Sequence, residues 1–128
     1  MVDTLEKIHS QGIVYRDVKP ENICVGIRNP NKIFLVDFGL AKHFMKKVTD
    51  EKERTKMVHI PLSDGHSLIG TPRYASVNSH MGLEQSRRDD LESLVYVIVY
   101  LLNGSLPWCG LDYETRQEKY VKIKYTKE

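Results

Sequence analysis

Only two cysteines occur, Cys24 and Cys109. They lie far apart and without spaced partners, which excludes a disulfide framework and offers no zinc-ligand pattern. Histidines 9, 43, 59, 66 and 80 are equally scattered, with no metal-ligand spacing. No apolar run is long enough to cross a bilayer. The longest, Leu94 to Leu102, falls short of the roughly 20 residues a spanning helix needs. The first residues, MVDTLEKIHS, contain neither a basic nor an apolar stretch and do not read as a signal peptide. Excess charge is missing as well: 19 Lys and Arg against 17 Asp and Glu leave a net +2, too mild to imply nucleic acid. Internal repeats, low-complexity tracts, basic stripes and interleaved stacking aromatics are absent. These absences predict a reduced, soluble domain with neither a membrane nor a nucleic-acid partner. Its expected location is cytoplasmic, with the nucleus as the alternative.

What remains is ordinary in composition, 41% hydrophobic and 28% charged over 128 residues, enough for one small domain with a modest core. Residues 2–10 read as an amphipathic helix, with Val2, Leu5 and Ile8 on one face and Gly12 beyond its end. Ile23–Ile27 and Lys32–Val36 are short β-rich runs divided by the turn-forming cluster Arg28-Asn29-Pro30-Asn31, which predicts a hairpin. Residues 42–68 are charged and aperiodic and read as a long surface loop. From Arg88 onward, Asp89 and Asp90 suit the positive end of a helix. Leu91, Leu94, Val95, Val97, Ile98, Val99, Leu101 and Leu102 then cover nearly all its sides, the pattern of a buried helix. Asn103-Gly104 ends it, and Tyr113–Lys124 predicts a further helix with a polar face. A helix apolar all round needs cover that so short a chain scarcely supplies. The sequence therefore belongs to something larger or leaves apolar surface exposed.

The chemistry gathers in two loops. In VYRDVKPENI, Asp17, Lys19 and Asn22 lie within six residues, between a helix and a strand. A second strand ends in Asp37-Phe38-Gly39, and hairpin geometry lets Asp37 and Asn22 face one point. Asp and Asn oxygens suit Mg²⁺, which takes few protein ligands and completes its shell with water and phosphate oxygens. Asp17 is placed to orient or deprotonate an attacking hydroxyl, and Lys19 to neutralise a transferring phosphoryl group. Metal, base and charge stabiliser are the parts phosphoryl transfer requires. R-D-x-K-x-x-N followed by D-F-G fixes seven identities, a chance match of about 10⁻⁹ per start position at ~5% per residue type.

With these motifs in place, the chain resembles the large lobe of a eukaryotic protein kinase, Tyr15-Arg16-Asp17 standing at the H-R-D position. More narrowly it resembles the casein kinase I family, through GTPRYASVN (residues 70–78), GLEQSRRDDLESL (82–94) and GSLPWCG (104–110). The resemblance covers nearly the whole chain and implies an α+β fold: a mainly helical C-terminal lobe with a small β-hairpin at the catalytic loop and no N-terminal lobe. Residues 1–128 are then a partial kinase domain comprising catalytic loop, activation segment, central buried helix and following helix. It implies a serine/threonine kinase using ATP and Mg²⁺, with Asp17 as base, Lys19 on the transferred phosphate, and Asn22 and Asp37 as metal ligands. Thr71 would fix Asp17, Asp90 would brace the loop from beneath, and Phe38 would stack with Tyr15.

The family favours acidic or already phosphorylated protein substrates, and Arg73, Gly110 and Lys119 match its anion pocket. Arg16 and Lys42 match a second anion-binding area, where His66 replaces the usual lysine. The segment Met45–Met57 exceeds the family's loop and is expected to be a mobile insertion, with Thr49 and Thr55 as modification candidates. No G-x-G-x-x-G motif and no V-A-I-K-like strand occurs, and Met1 matches an internal methionine of the family. The expectation is a truncated form of an active kinase, or alternatively a non-catalytic lobe that binds partners without turnover.

Overall fold

Helix α1 (Val2–Ser10) buries Leu5 completely, while Val2 on the same stripe stays exposed. The computed structural model describes residues 1–128. After α1 the chain runs through β1 (Ile13–Val14), a 3₁₀ turn at Pro20–Asn22 and β2 (Ile23–Val25), then returns as β3 (Ile33–Leu35). β2 and β3 pair antiparallel with Ile23 opposite Leu35 and Val25 opposite Ile33, the hairpin expected from the Asn-Pro-Asn turn. β4 (Lys42–His43) pairs antiparallel with β1, setting Val14 opposite Lys42.

Residues 42–68 are not the structureless loop that their charge suggested. β5 (Met45–Thr49) and β6 (Thr55–His59) form a regular antiparallel hairpin with Met45 opposite His59 and Thr49 opposite Thr55. The segment expected to be a mobile insertion is thus a two-stranded ribbon. Its turn is fastened by Asp50, whose Oδ1 accepts from the N–H groups of Lys52 and Arg54 at 3.0 and 2.9 Å. Side chains competing for local hydrogen bonds made the turn, and the adjacent Lys46 and Lys47 of β5, with Lys56 of β6, hid the strand period.

A short helix, α2 (Val77–His80), follows, capped by Ser76 Oγ, which accepts from Ser79 N–H at 3.1 Å. α3 (Arg87–Asn103) starts where Ser86 N–H donates to Asp89 Oδ2 at 2.7 Å and stops at Gly104, left-handed at φ 73°. α4 (Arg116–Lys127) closes the chain. Four helices and three small antiparallel pairings make an α+β fold.

The core is one cluster of Leu5, Tyr15, Val18, Tyr74, Leu94, Val97, Leu106, Trp108 and Ile123. α3 supplies Leu94 and Val97 to it from one side only. The expectation of a wholly buried central helix is therefore corrected: Leu91, Val95, Ile98, Leu101 and Leu102 lie on the surface, Leu102 being 79% exposed. The apolar residues on those sides have no element of the chain packed over them, and the apolar surface foreseen from composition is here.

Candidate active site

The loop of residues 15–22 hangs from α3. Asp90 accepts the N–H of Tyr15 on Oδ2 at 2.8 Å and that of Arg16 on Oδ1 at 2.7 Å, and its Oδ2 also meets His9 Nε2 at 2.7 Å. These bonds hold Arg16 at φ 68°, a left-handed conformation costly for a side chain of its size. Asp17 then turns inward and is nearly buried. Its Oδ1 accepts from the N–H and hydroxyl of Thr71 at 3.0 and 2.9 Å. Its Oδ2 accepts from Asn22 Nδ2 at 3.2 Å and faces Lys19 Nζ at 2.6 Å. Asp17, Lys19, Asn22 and Thr71 are thus brought into one cluster. The approach of the two loops depends on Gly70, at φ 95°, where a Cβ would stand 2.5 Å from the Arg16 carbonyl oxygen.

Asp37 reaches the same region from β3. Val36 N–H donates to the Asn22 carbonyl at 3.0 Å, and Asp37, at φ 60°, accepts the Gly39 N–H on Oδ1 at 3.0 Å. Phe38 meets the Tyr15 ring edge-on, centroids 5.2 Å apart, though Phe38 itself is half exposed. The Tyr15 hydroxyl donates to the Val36 carbonyl. Burial pushes that phenol up to about 12, with the Asn22 side chain pulling the other way and the charges of Asp17, Asp37 and Asp90 adding to the rise. Tyr15 is therefore the common neighbour of Asn22, Asp17 and Asp37.

No cluster of three or more His, Cys, Asp or Glu side chains could cage a metal. What the site offers is a pair of hard oxygen donors. Asn22 spends its amide hydrogens on Asp17, both on Oδ2 and on the carbonyl at 3.1 Å, so its oxygen is the group left to offer. Asp37 keeps a carboxylate oxygen beyond the one bonded to Gly39. That donor set fits Mg²⁺ bound through two protein ligands, with water and phosphate supplying the others.

A second feature adjoins the cluster. Glu21, Thr71, Arg73, Trp108, Gly110 and Lys119 contribute to the lining of a cleft of about 750 Å³. Arg73, Gly110 and Lys119, far apart in sequence, converge there. The Arg73 guanidinium lies 5.6 Å from the Tyr100 ring centroid, and Trp108 Nε1 donates to the Arg73 carbonyl at 2.7 Å. Lys119 Nζ donates to the Tyr113 hydroxyl at 3.1 Å, so it is tethered at the rim.

Arg16 and Lys42 also meet, with His66, in a small cavity of about 100 Å³. Sequence reasoning missed its acid. Glu84 Oε2 lies 2.8 Å from Lys42 Nζ and 3.5 Å from His66 Nε2, while Arg16 Nε is spent on the Leu40 carbonyl at 2.6 Å. Lys42 is already partnered by Glu84, which weakens this second area as an anion site.

Sequence reasoning also missed how residues 71–80 are held. Asp89 Oδ1 accepts from Ser76 Oγ at 2.8 Å and Asn78 Nδ2 at 3.0 Å, and Glu92 Oε1 accepts the Val77 N–H at 2.8 Å. From α4, Lys127 Nζ donates to the Pro72 carbonyl at 3.0 Å and to the Ala75 carbonyl. The two acids were visible at the start of a helix, but nothing local in the sequence marks Lys127. A family model described as Protein kinase domain matches residues 1–127.

Proposed function

The chain belongs to the protein kinase domain family, and from that premise we propose that it carries the catalytic loop of a casein kinase I-type serine/threonine kinase, in the C-terminal lobe of that fold. The reaction transfers the γ-phosphate of ATP to Ser or Thr of acidic or already phosphorylated protein substrates. The observation that carries this reading is the four-donor cradle around Asp17. An ionised carboxylate has about four lone-pair sites, and Thr71, Asn22 and Lys19 take them all. A substrate hydroxyl can reach Asp17 only by replacing one donor. Thr71 donates from its backbone N–H as well as its hydroxyl, and Asn22 is tied also to the Asp17 carbonyl, whereas Lys19 sits at the end of a flexible stem.

The mechanism follows. An incoming phosphoryl group draws the Lys19 ammonium off Oδ2, and the vacated lone pair receives the substrate hydroxyl. Lys19 thereby links phosphate arrival to the freeing of the base. Mg²⁺ held by Asn22 and Asp37 would supply charge neutralisation on the phosphates. Thr71 keeps Asp17 from rotating away, and Asp90 keeps the loop at its height.

The Arg73 cleft opens beside Thr71, within reach of a peptide whose acceptor hydroxyl lies at Asp17. A guanidinium braced on Tyr100 suits bidentate capture of a phosphoserine or carboxylate. A non-catalytic reading, anionic-peptide binding alone, is favoured by one observation: the cleft is lined without any contribution from Asn22 or Asp37. The test is phosphorylation with Mg-ATP of matched peptides with and without an upstream phosphoserine. A preference for the primed peptide that Arg73→Ala abolishes supports the kinase reading. Binding of the primed peptide without phosphate transfer selects the non-catalytic one.

A further inference from the structure

α4 ends on a lysine that does not reach solvent in the usual way. Lys127 Nζ points inward across 55 residues of sequence to the Pro72 carbonyl and across 52 to that of Ala75. It lies 4.8 Å from the ring centroids of both Tyr96 and Trp108. Its third neighbour is His80 Nε2 at 3.3 Å. That ring nitrogen also lies 3.1 Å from the Pro72 carbonyl, so two of the three lysine donors meet carbonyl acceptors.

The two carbonyls are those that bracket Arg73 and Tyr74. Arg73's own carbonyl is taken by Trp108, whose ring lies under the same ammonium. Three attachments within four residues therefore fix this stretch: Pro72 and Ala75 by Lys127, Arg73 by Trp108. From this segment Arg73 and Tyr74 both line the cleft, and the Arg73 guanidinium is the charged group among them. An apolar side chain would fill this place at lower cost, because burying an ammonium is penalised. That cost is visible: burial pulls Lys127 down to about 7, partly offset by Glu92 and Cys109. What an apolar side chain could not supply here is a hold on two carbonyls at once.

We infer that Lys127 is a positioning residue for anion recognition, setting the backbone from which Arg73 addresses a phosphoserine in the cleft. The inference rests on the reading of that cleft as the substrate's anion site. It concerns specificity, since Lys127 does not itself line the cleft.

The experiment uses the full chain, a phosphoserine peptide and its unphosphorylated counterpart, with the fluorescence of Trp108, the sole tryptophan, as the binding signal. Lys127→Met keeps the stem and removes the charge, and Lys127→Arg restores a cation. The expected result is about tenfold weaker phosphopeptide binding for Lys127→Met, or ~1.4 kcal/mol, with unphosphorylated peptide unaffected and Lys127→Arg partly recovered. Hydrogen exchange at the Tyr74 and Ala75 amides, both bonded to the Thr71 carbonyl at 2.9 Å, should quicken in Lys127→Met alone. Phosphopeptide binding that Arg73→Ala removes but Lys127→Met leaves intact overturns the inference while sparing the cleft. A wild-type chain that binds neither peptide brings down both.

Discussion

Asp90 reaches 74 residues back along the chain to accept the Arg16 N–H at 2.7 Å, so a helix late in the sequence sets the conformation of a loop near its start. Removing the carboxylate strands that donor and the Tyr15 N–H together. Asp90→Ala should cost about 1–3 kcal/mol for each buried donor left unpaired, read as a lowered denaturation midpoint with unchanged slope. A loss under about 0.5 kcal/mol, the range of ordinary surface substitutions, would show that the loop is held by other means.

Thr71 bonds one oxygen of Asp17 twice. Thr71→Val keeps the shape and the backbone donor but deletes the hydroxyl. Turnover should fall by up to about 10²-fold with KM little changed, because the base is misoriented while substrate binding is untouched. Thr71→Ser, which keeps the hydroxyl, should recover most of it. Equal loss in the Val and Ser variants would assign Thr71 a packing role only.

The stability of the fold should climb with pH in two separate windows. Burial, aided by Lys127 and Lys124, lowers His80 to about 4 from 6.5, so the unfolded chain binds the extra proton between those values. His80 therefore contributes stability that is present above 6.5 and lost as pH falls through 4. Lys127, lowered to about 7 from 10.5, gives a second rise between 7 and 10.5, since there too the unfolded chain holds more protons. The groups facing this pair are Glu92 and Tyr96 of α3, Cys109 after Trp108, and Lys124 of α4. Thermal melts should show His80→Gln flattening the acidic rise and Lys127→Met the alkaline one. Parallel curves for wild type and both variants would refute the assignment.

The β5–β6 ribbon stands apart from the core cluster. Shortening it between Lys46 and Val58 to a tight turn should change stability by no more than about 0.5 kcal/mol. A cooperative loss of structure on circular dichroism would show that the ribbon supports the fold.

Much of the site could be read from the sequence because its chemistry is local. Asp17, Lys19 and Asn22 share one loop, and the Asn-Pro-Asn turn announces the hairpin that carries Asp37. The convergence of Arg73, Gly110 and Lys119 was accessible only through likeness to other chains, since no spacing rule links them. The β5–β6 ribbon escaped because lysines occupy positions where strand alternation would show apolar residues. α3 misled for a different reason. An all-round apolar helix predicts cover, but periodicity cannot say whether the cover lies within the same residues. Glu84 and Lys127 were invisible because each acts through a partner more than 40 residues away.

The account stands or falls on phosphate transfer. The direct measurement is incorporation of labelled phosphate from Mg-ATP into a primed peptide, by the wild-type chain and by Asp17→Asn at equal concentration. The account predicts incorporation by wild type that falls by about 10²–10⁴-fold in the variant, the usual contribution of a positioned base. Equal incorporation by the two proteins would contradict it.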